Sequence, residues 1–354
     1  MPIVSTAKEY TNNRVKIYPF AYVDDTYLLA VSNSYGDNCK ALKECHDRIM
    51  EWADSVGVSF SPHKYHVMHF YPPGRKIVPS KLMPKIPGLE GKEPEHSMRI
   101  LGVEVEVDCQ LHWQQHVEEV AAKANTKMND IARICNTTAG PDVISLRQLY
   151  ITTVRPIISH GCGAWFIYGD KKIVRYQVPD NVLKSLTRIQ NQCLRTVTGA
   201  LGRSSGRTVN KEAYVEDILV YLDRVATLQR ARALDTPDHE RLRRMRQIGK
   251  MPADFELHPY HSLDYPARSL LERANKSCRD RKASSMSTNV LRKAMTKIAK
   301  QDAEEMSRRM WNRHLEDCHD DSPHSPSYRS AALMDKAGWG PHNLKRYRSL
   351  SHAQ

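Results

Sequence analysis

The chain has 354 residues, with 53 Lys and Arg against 40 Asp and Glu, which gives a net charge of +13. This length allows two or more domains, and the mean hydropathy of −0.58 predicts that part of the chain packs poorly. The eight cysteines form no Cys-x-x-Cys pair, which favours a reduced intracellular protein, nuclear or cytoplasmic, over a disulfide-bonded secreted one. No apolar run approaches the roughly 20 residues that span a bilayer, and the N-terminus lacks a signal-peptide pattern, so we expect no membrane partner.

The first predicted element is a β-hairpin with two adjacent carboxylates, Asp24 and Asp25, at its tip. The flanking runs Phe20–Val23 and Tyr27–Val31 are rich in aromatic and β-branched residues and too short for an amphipathic helix, so they predict two buried strands. Two anionic groups beside a buried sheet need a cation, and Mg²⁺ prefers carboxylate oxygen. A solvated Asp-Asp turn is the alternative, because Asp is favoured in turns.

A helix is predicted over Lys40–Val56. Its apolar residues recur every three or four positions and form one stripe: Leu42, Cys45, Ile49, Trp52 and Val56. Gly57 then provides a turn that leads through Lys64 into an alternating segment, Tyr65–Phe70, which predicts a strand.

Residues 75–97 contain several Pro and Gly and predict an exposed connection. Met98–Val107 returns to β character, and the pattern after it is helical. Three apolar stripes predict three helices, one over Val117–Cys135, one over Leu183–Val197 and one over Ile218–Leu234.

The composition changes after about Pro237, where the apolar spacing becomes sparse. We expect isolated helices and disorder in this part of the chain. Residues 268–313 hold 13 Lys and Arg against 5 Asp and Glu, a net excess of eight positive charges. Nucleic acid is the natural partner of such a segment, although a basic helix can equally be a solvated face.

These motifs together resemble a known family. The aromatic-Val-Asp-Asp tip between apolar strands resembles the catalytic turn of reverse transcriptases, and the segments after it resemble the palm end and thumb of the non-LTR (LINE-type) retrotransposon branch. The resemblance covers about residues 15–235, and its later motifs have the family's order and spacing. They are Gly57 to Lys64, Leu101-Gly102-Val103, Leu111-His112-Trp113 with His116, Arg147-Gln148-Leu149-Tyr150, Val154-Arg155-Pro156, Gly163-Ala164-Trp165, Ile189-Gln190 with Leu194-Arg195, and Thr198-Gly199-Ala200.

The resemblance implies an α+β fold. Residues 1–110 would form a partial antiparallel palm sheet with a packed helix, and residues 111–236 an all-helical thumb-like region. For residues 237–354 the composition predicts a third part, a poorly ordered, basic, partly helical tail.

The implied reaction is RNA-directed DNA synthesis from dNTPs with two Mg²⁺ ions, on an RNA template and a DNA primer. Asp24 and Asp25 would be catalytic metal ligands. Lys64 would give a proton to the pyrophosphate leaving group, unless it is only a solvated lysine.

Nucleic-acid contacts also follow from the resemblance. Leu101, Gly102, Val103 and Trp113 would hold the primer end, with ordinary packing as the alternative. Lys and Arg opposite the apolar stripes would contact phosphates, unless they are ion-paired surface residues. The candidates are Lys123, Lys127, Arg133, Arg188, Arg195 and Arg203.

One departure from the family bears on activity. The family has a further aspartate and a glycine-containing segment before the Asp-Asp turn, whereas only 23 residues precede Asp24 here and none is Asp. We therefore expect no polymerase activity from this chain alone, because the members of such a constellation act as a unit. The alternatives are a non-catalytic basic remnant that binds RNA or DNA, and an incomplete gene model or decayed fragment that does not fold.

Overall fold

A computed structural model describes residues 14–70, 81–106, 113–134, 140–168, 178–234, 259–279 and 288–320, and Pro341. The chain forms two compact units, residues 1–111 and residues 112–354. The described residues are mostly helical and include two antiparallel sheets of two strands each. The predicted α+β class is therefore confirmed in this broad sense. None of the described helices is long and apolar enough to cross a lipid bilayer.

The first unit begins with the predicted hairpin. Strands β1 (Lys16–Tyr22) and β2 (Asp25–Val31) pair so that Lys16 faces Val31 and Tyr22 faces Asp25. Helix α1 (Tyr35–Val56) covers one face of the hairpin. The core between them is formed by Val15, Ile17, Ala41, Cys45 and Ile49, with Leu28, Ala30 and Phe60 at its border.

The prediction of two buried strands is wrong for the other face of this hairpin. Phe20 is 55% exposed and Tyr22 is 64% exposed, because α1 covers only the side chains that alternate with them. The hairpin is thus half-buried, and Asp24 and Asp25 are both exposed.

Helix α1 is present as predicted but starts five residues earlier than Lys40. The Ser34 hydroxyl accepts a hydrogen bond from the Asp37 backbone N–H and caps the first turn. Gly36 obscures this start in the sequence, because glycine is a poor helix former. Gly57 ends the helix with φ 71°, in the left-handed conformation that glycine adopts easily.

The strand predicted over Tyr65–Phe70 is wrong. A 3-10 turn, Pro62–Lys64, leads into an extended segment that has no strand ladder. Two side chains and one backbone hydrogen bond hold the segment: the Tyr35 hydroxyl donates to the Phe70 carbonyl at 3.0 Å, His69 Nε2 lies 2.6 Å from the Leu82 carbonyl, and the Glu95 N–H donates to the Val67 carbonyl at 2.8 Å. Alternation alone did not distinguish this arrangement from a strand.

The β character predicted for Met98–Val107 corresponds to a second hairpin, β3 (Ser97–Ile100) and β4 (Val103–Glu106). Its turn consists of Leu101, with φ 50°, and Gly102, with φ 83°. In the predicted connection 75–97, residues 81–96 are irregular and bury Ile86 and Leu89, whereas residues 71–80 lie outside the described part.

The second unit is helical in its described residues. Its helices are α2 (Gln114–Ile134), α3 (Val143–Leu149), α4 (Arg155–Ser159), α5 (Cys162–Trp165), α6 (Asp180–Thr198), α7 (Gly206–Glu212), α8 (Ile218–Ala233), α9 (Pro259–Arg279) and α10 (Thr288–Asp320). Helices α2, α6 and α8 match the three predicted stripes. A π-helical turn, Tyr150–Val154, joins α3 to α4 just before Pro156, whose ring would not fit a regular helix interior.

The helices after Pro237 are not isolated, which differs from the prediction. Helices α9 and α10 pack on α8 through a shared apolar cluster. Its buried members are Leu228, Ala231, Ala267, Leu270, Ala274, Leu291, Met295 and Ala299. The poorly ordered tail predicted over residues 237–354 includes these two described helices, and the rest of it, apart from Pro341, lies outside the described residues.

The buried residues of α10 are spaced regularly by four. They are Leu291, Met295, Ala299, Ala303, Ser307 and Trp311, and we call this set the α10 stripe. A spacing of four exceeds the helical repeat of 3.6, so the stripe turns by about 40° per step and about 200° along the helix. Because the buried residues rotate around the helix, they do not form the single apolar face by which an amphipathic helix is found in a sequence.

Candidate functional site

The Asp-Asp turn is tight and strained. Val23 and Asp24 connect the paired residues Tyr22 and Asp25, and Val23 has φ 56°. A two-residue hairpin turn with positive φ at its first position favours glycine there. A β-branched residue in this conformation costs on the order of 1–2 kcal/mol. Val23 is 77% exposed, so burial of its side chain offsets little of that cost.

Tyr27 connects this turn to the turn of the second hairpin. Its hydroxyl lies 3.4 Å from Asp25 Oδ2 and also accepts a hydrogen bond from the Leu101 backbone N–H. Burial raises the pKa of Tyr27, the Leu101 hydrogen bond lowers it, and the charges of Asp25 and Asp24 raise it further. Tyr27 therefore lies between Asp25 and the Leu101 backbone, and we call Asp24, Asp25, Tyr27, Leu101 and Gly102 the two-turn site.

The two-turn site offers oxygen donors. Two adjacent exposed carboxylates match the hard oxygen ligands that Mg²⁺ prefers, and they would fill part of an octahedral shell, with water in the rest. In the part of the chain that the structure describes, no group of three or more His, Cys, Asp or Glu gathers in a metal-binding arrangement. Mg²⁺ remains a prediction for this site.

Two more residues of the first unit were predicted to be functional, Lys64 as a proton donor and Val103 as a contact to the primer. Val103 is buried at the start of β4. Lys64 is exposed in the 3-10 turn, and its ammonium forms no hydrogen bond or ion pair with any described residue. Lys92 fixes the backbone around it by donating to the carbonyls of His63 and Tyr65, each at 3.1 Å. The general-acid role of Lys64 remains a prediction.

Trp113 belongs to the second unit and has the surroundings of a core residue. It is 6% exposed, and its carbonyl accepts a hydrogen bond from Val117 N–H at 3.0 Å in the first turn of α2. On the same helix, buried His116 packs edge-on against Trp165. Leu111 and His112, from the same motif, lie outside the described residues.

The basic residues predicted on α2 form ion pairs on their own helix, and two of them share one carboxylate. Lys123 pairs with Glu119 at 2.9 Å, and Lys127 and Arg133 each lie 3.7 Å from Asp130. A phosphate would have to compete with these carboxylates, although exposed pairs of this kind are weak.

The basic residues of α6 are arranged differently. Lys184, Arg188 and Arg195 line one groove, together with Asp180, Leu183, Thr187, Asn191 and Leu219. The Arg195 guanidinium donates to the Ser204 carbonyl, at 2.8 Å from Nη2. Lys184 and Arg188 are exposed and form no ion pair with any described residue. We call this feature the α6 groove.

Several residues that support the family resemblance meet in a buried hydrogen-bond network. The Tyr150 hydroxyl donates to Gln190 Oε1 at 3.3 Å, and Gln190 Nε2 donates to Asn210 Oδ1 at 3.1 Å and to the Glu216 carbonyl at 3.0 Å. Arg155 donates to the same carbonyl at 3.2 Å. Burial raises the pKa of Tyr150, so its hydroxyl stays a donor. These residues hold the segment before α8 in place.

Arg147 extends this support. Its guanidinium donates to the carbonyls of Ala213 at 2.7 Å and Tyr214 at 2.9 Å. Arg155 also stacks on the Tyr221 ring, with its guanidinium carbon 3.7 Å from the ring centroid. The later motifs of the resemblance thus include residues that stabilise the helical unit.

The sequence reasoning missed Tyr27 and Lys184. Tyr27 lies two residues after Asp25 and therefore on the same face of β2, which is a usable signal. Lys184 lies in the acid-free stretch 181–211, which holds six Lys and Arg and no Asp or Glu. Comparisons with protein-family models, with curated proteins and with solved structures gave no match to this chain.

Proposed function

We propose that this chain is a reverse-transcriptase-like protein from a non-LTR retrotransposon, with the Asp-Asp half of a catalytic centre and a thumb-like helical region. One observation supports the proposal most. A strained turn at Val23 displays the exposed carboxylates Asp24 and Asp25, and Tyr27 lies between Asp25 and the Leu101 backbone. Backbone strain of this kind clusters at active sites and switch regions.

The reaction would be RNA-directed DNA synthesis from dNTPs. Two Mg²⁺ ions supply activation of the primer hydroxyl and charge neutralisation on the triphosphate in this chemistry. Asp24 and Asp25 would provide carboxylate ligands, and Tyr27 would orient Asp25. The Leu101–Gly102 turn would lie beside the primer end.

Primer extension tests the activity of this chain by itself. None of the 23 residues before Asp24 is Asp, so we expect no incorporation from the purified 354-residue chain with Mg²⁺, an RNA template and dNTPs. Incorporation that is lost in Asp24→Ala would show that the chain completes its own catalytic centre.

Iron-mediated cleavage tests the metal site without requiring activity. Fe²⁺ bound in place of Mg²⁺ reduces added hydrogen peroxide to hydroxide and a hydroxyl radical, with ascorbate to regenerate Fe²⁺, and the radical cuts the nearby backbone. We therefore expect cuts near residues 24 and 101 that Mg²⁺ suppresses. Asp24→Asn with Asp25→Asn should abolish both cuts, and Asp54→Asn, an exposed acid on α1, should leave them. Cuts that persist in the double variant would refute metal binding by this pair.

A second function is favoured by the α6 groove, namely non-catalytic binding of RNA or DNA. Lys184 and Arg188 lie in an acid-free stretch without ion pairs to described residues, whereas the cations of α2 are paired. Binding of phosphates by unpaired cations releases counterions without breaking existing pairs.

Salt-dependent fluorescence anisotropy with labelled duplex DNA tests this groove. Lys184→Gln with Arg188→Gln should reduce the slope of log Kobs against log[salt] by about 2. The matched control, Lys123→Gln with Lys127→Gln, removes the same charge from α2 and should change the slope little. Equal losses in both variants would show that only net charge matters and would remove the groove from the proposal.

A further inference from the structure

Helix α10 carries a second basic surface, separate from the α6 groove. Arg292, Lys293, Lys297 and Lys300 are all exposed, and we call these four residues the α10 basic face. At 100° per residue they occupy an arc of about 140° on one side of the helix. None of the four side chains forms a hydrogen bond or ion pair with a described residue; Arg292 accepts a hydrogen bond from Thr296 Oγ1 through its backbone carbonyl alone.

The surrounding sequence supplies no neutralising charge along the chain. Residues 281–301 contain six Lys and Arg and no Asp or Glu, and the first acid afterwards is Asp302. Asp302 is already engaged, because both of its carboxylate oxygens accept hydrogen bonds from Arg273 at 2.7 Å. Further along the same helix, Arg309 pairs with Glu305. Arg308 and Arg313 also form no ion pair with a described residue, so the first half of α10 holds four of the six unpaired cations of the helix.

This arrangement is unfavourable for the isolated helix. Lys293 and Lys297 are four residues apart and Lys297 and Lys300 are three apart, and like charges at these spacings repel one another. The apolar cluster holds the opposite side of α10 on α8 and α9, so the four cations stay together despite the repulsion. A bound polyanion would reduce this repulsion between the four cations.

We propose that the α10 basic face binds the phosphate backbone of nucleic acid without reading its sequence. A helix that inserts into an anionic membrane needs an exposed apolar side, whereas the apolar side of α10 is buried against α8 and α9. The face therefore fits a phosphate backbone better than a lipid surface. This proposal rests on the second function proposed above, and assigns it a further surface.

The test uses the full chain and a labelled duplex DNA, with anisotropy measured from 50 to 300 mM salt. Changing Arg292, Lys293, Lys297 and Lys300 to Gln should weaken binding about tenfold or more at 0.1 M salt and reduce the salt slope by about 3 to 4. Circular dichroism should show unchanged helix content. A variant with the three lysines changed to Arg should retain wild-type binding, which separates charge from folding effects.

The matched control changes four ion-paired cations, Lys123, Lys127, Arg133 and Arg309, to Gln. It removes the same charge, and we expect less than a threefold loss of affinity. Equal losses in the two variants would overturn the proposal, since net charge would then explain both. Normal DNA binding by the α10 variant, with lost binding to phosphatidylserine vesicles, would also overturn it.

The Lys184→Gln, Arg188→Gln variant separates this proposal from the one for the α6 groove. Loss of binding only in the α6 variant would overturn the α10 surface and leave the groove. Loss only in the α10 variant would support the α10 surface and refute the groove.

Discussion

Gly163 provides a sharp test of packing in the second unit. It lies in α5, directly against Gln229 of α8, and its backbone N–H donates to Gln229 Oε1 at 2.7 Å. A Cβ atom at Gly163 would lie 2.5 Å from that oxygen and 2.9 Å from Gln229 Cβ. The second distance matters more, because Cβ of Gln229 is fixed to the backbone of α8 and no rotamer change removes it.

Gly163→Ala should therefore force α5 and α8 apart or break the hydrogen bond. Overpacking costs about 1–3 kcal/mol and a lost hydrogen bond about 0.5–1.5 kcal/mol. The better helix propensity of alanine returns up to about 1 kcal/mol, so we expect a net loss near 2 kcal/mol. With an m-value of about 2 kcal/mol/M, the urea midpoint should fall by about 1 M.

Pulsed alkylation in increasing urea measures this change locally. Cys162, next to Gly163, is fully buried and becomes reactive only when this region opens. Gly202→Ala is the matched control, because a Cβ there meets no atom within 4 Å. Its midpoint should stay within about 0.2 M of the wild type, since open sites tolerate this exchange. Equal midpoints for the two variants would refute the reasoning.

Three further predictions follow from single residues. Val23→Gly should relieve turn strain by about 1 kcal/mol and therefore slow amide hydrogen exchange in residues 16–31 about fivefold. Val58 has an ordinary negative φ, so the control Val58→Gly should not slow this exchange. Burial raises the pKa of Asp223 to about 6, so its contribution to stability falls as pH rises from 4 to 6. Asp223→Asn should match the wild type in urea unfolding at pH 4 and exceed it by about 2 kcal/mol at pH 7. Burial raises the pKa of Cys193 to about 12, so native Cys193 should resist iodoacetamide at pH 8, while unfolded protein reacts.

The sequence was most informative where one physical signal acted alone. The period of 3.6 located α2, α6 and α8, and the apolar runs around Asp24 located the first hairpin. It failed at Tyr65–Phe70, because an extended segment outside any sheet can have the same alternation of apolar residues as a strand. It also failed for α10, whose stripe repeats every four residues.

The candidate site was predictable only in part. Asp24 and Asp25 were found by their position between apolar strands, but the link through Tyr27 depends on its contact with Leu101, 74 residues further along the sequence. The sequence also could not predict which cations form ion pairs. Lys123 and Lys184 are both helical lysines in sequence terms, and only the structure shows that Lys123 has a carboxylate partner.

The α10 stripe has a consequence for how that helix finds its position. Because its residues repeat every four positions, a slide of about 6 Å with a 40° rotation would place each stripe residue where its neighbour had been. Spacing alone therefore cannot select one register. Side-chain size can: Leu291 and Met295 are large, Ala299, Ala303 and Ser307 are small, and Trp311 closes the series in a buried position. A slide by one step in one direction would place Met295 in the space of Ala299, and a slide in the other direction would place Trp311 in the space of Ser307. Both shifts put a large side chain where a small one fits, so Met295 and Trp311 together fix the register of the helix.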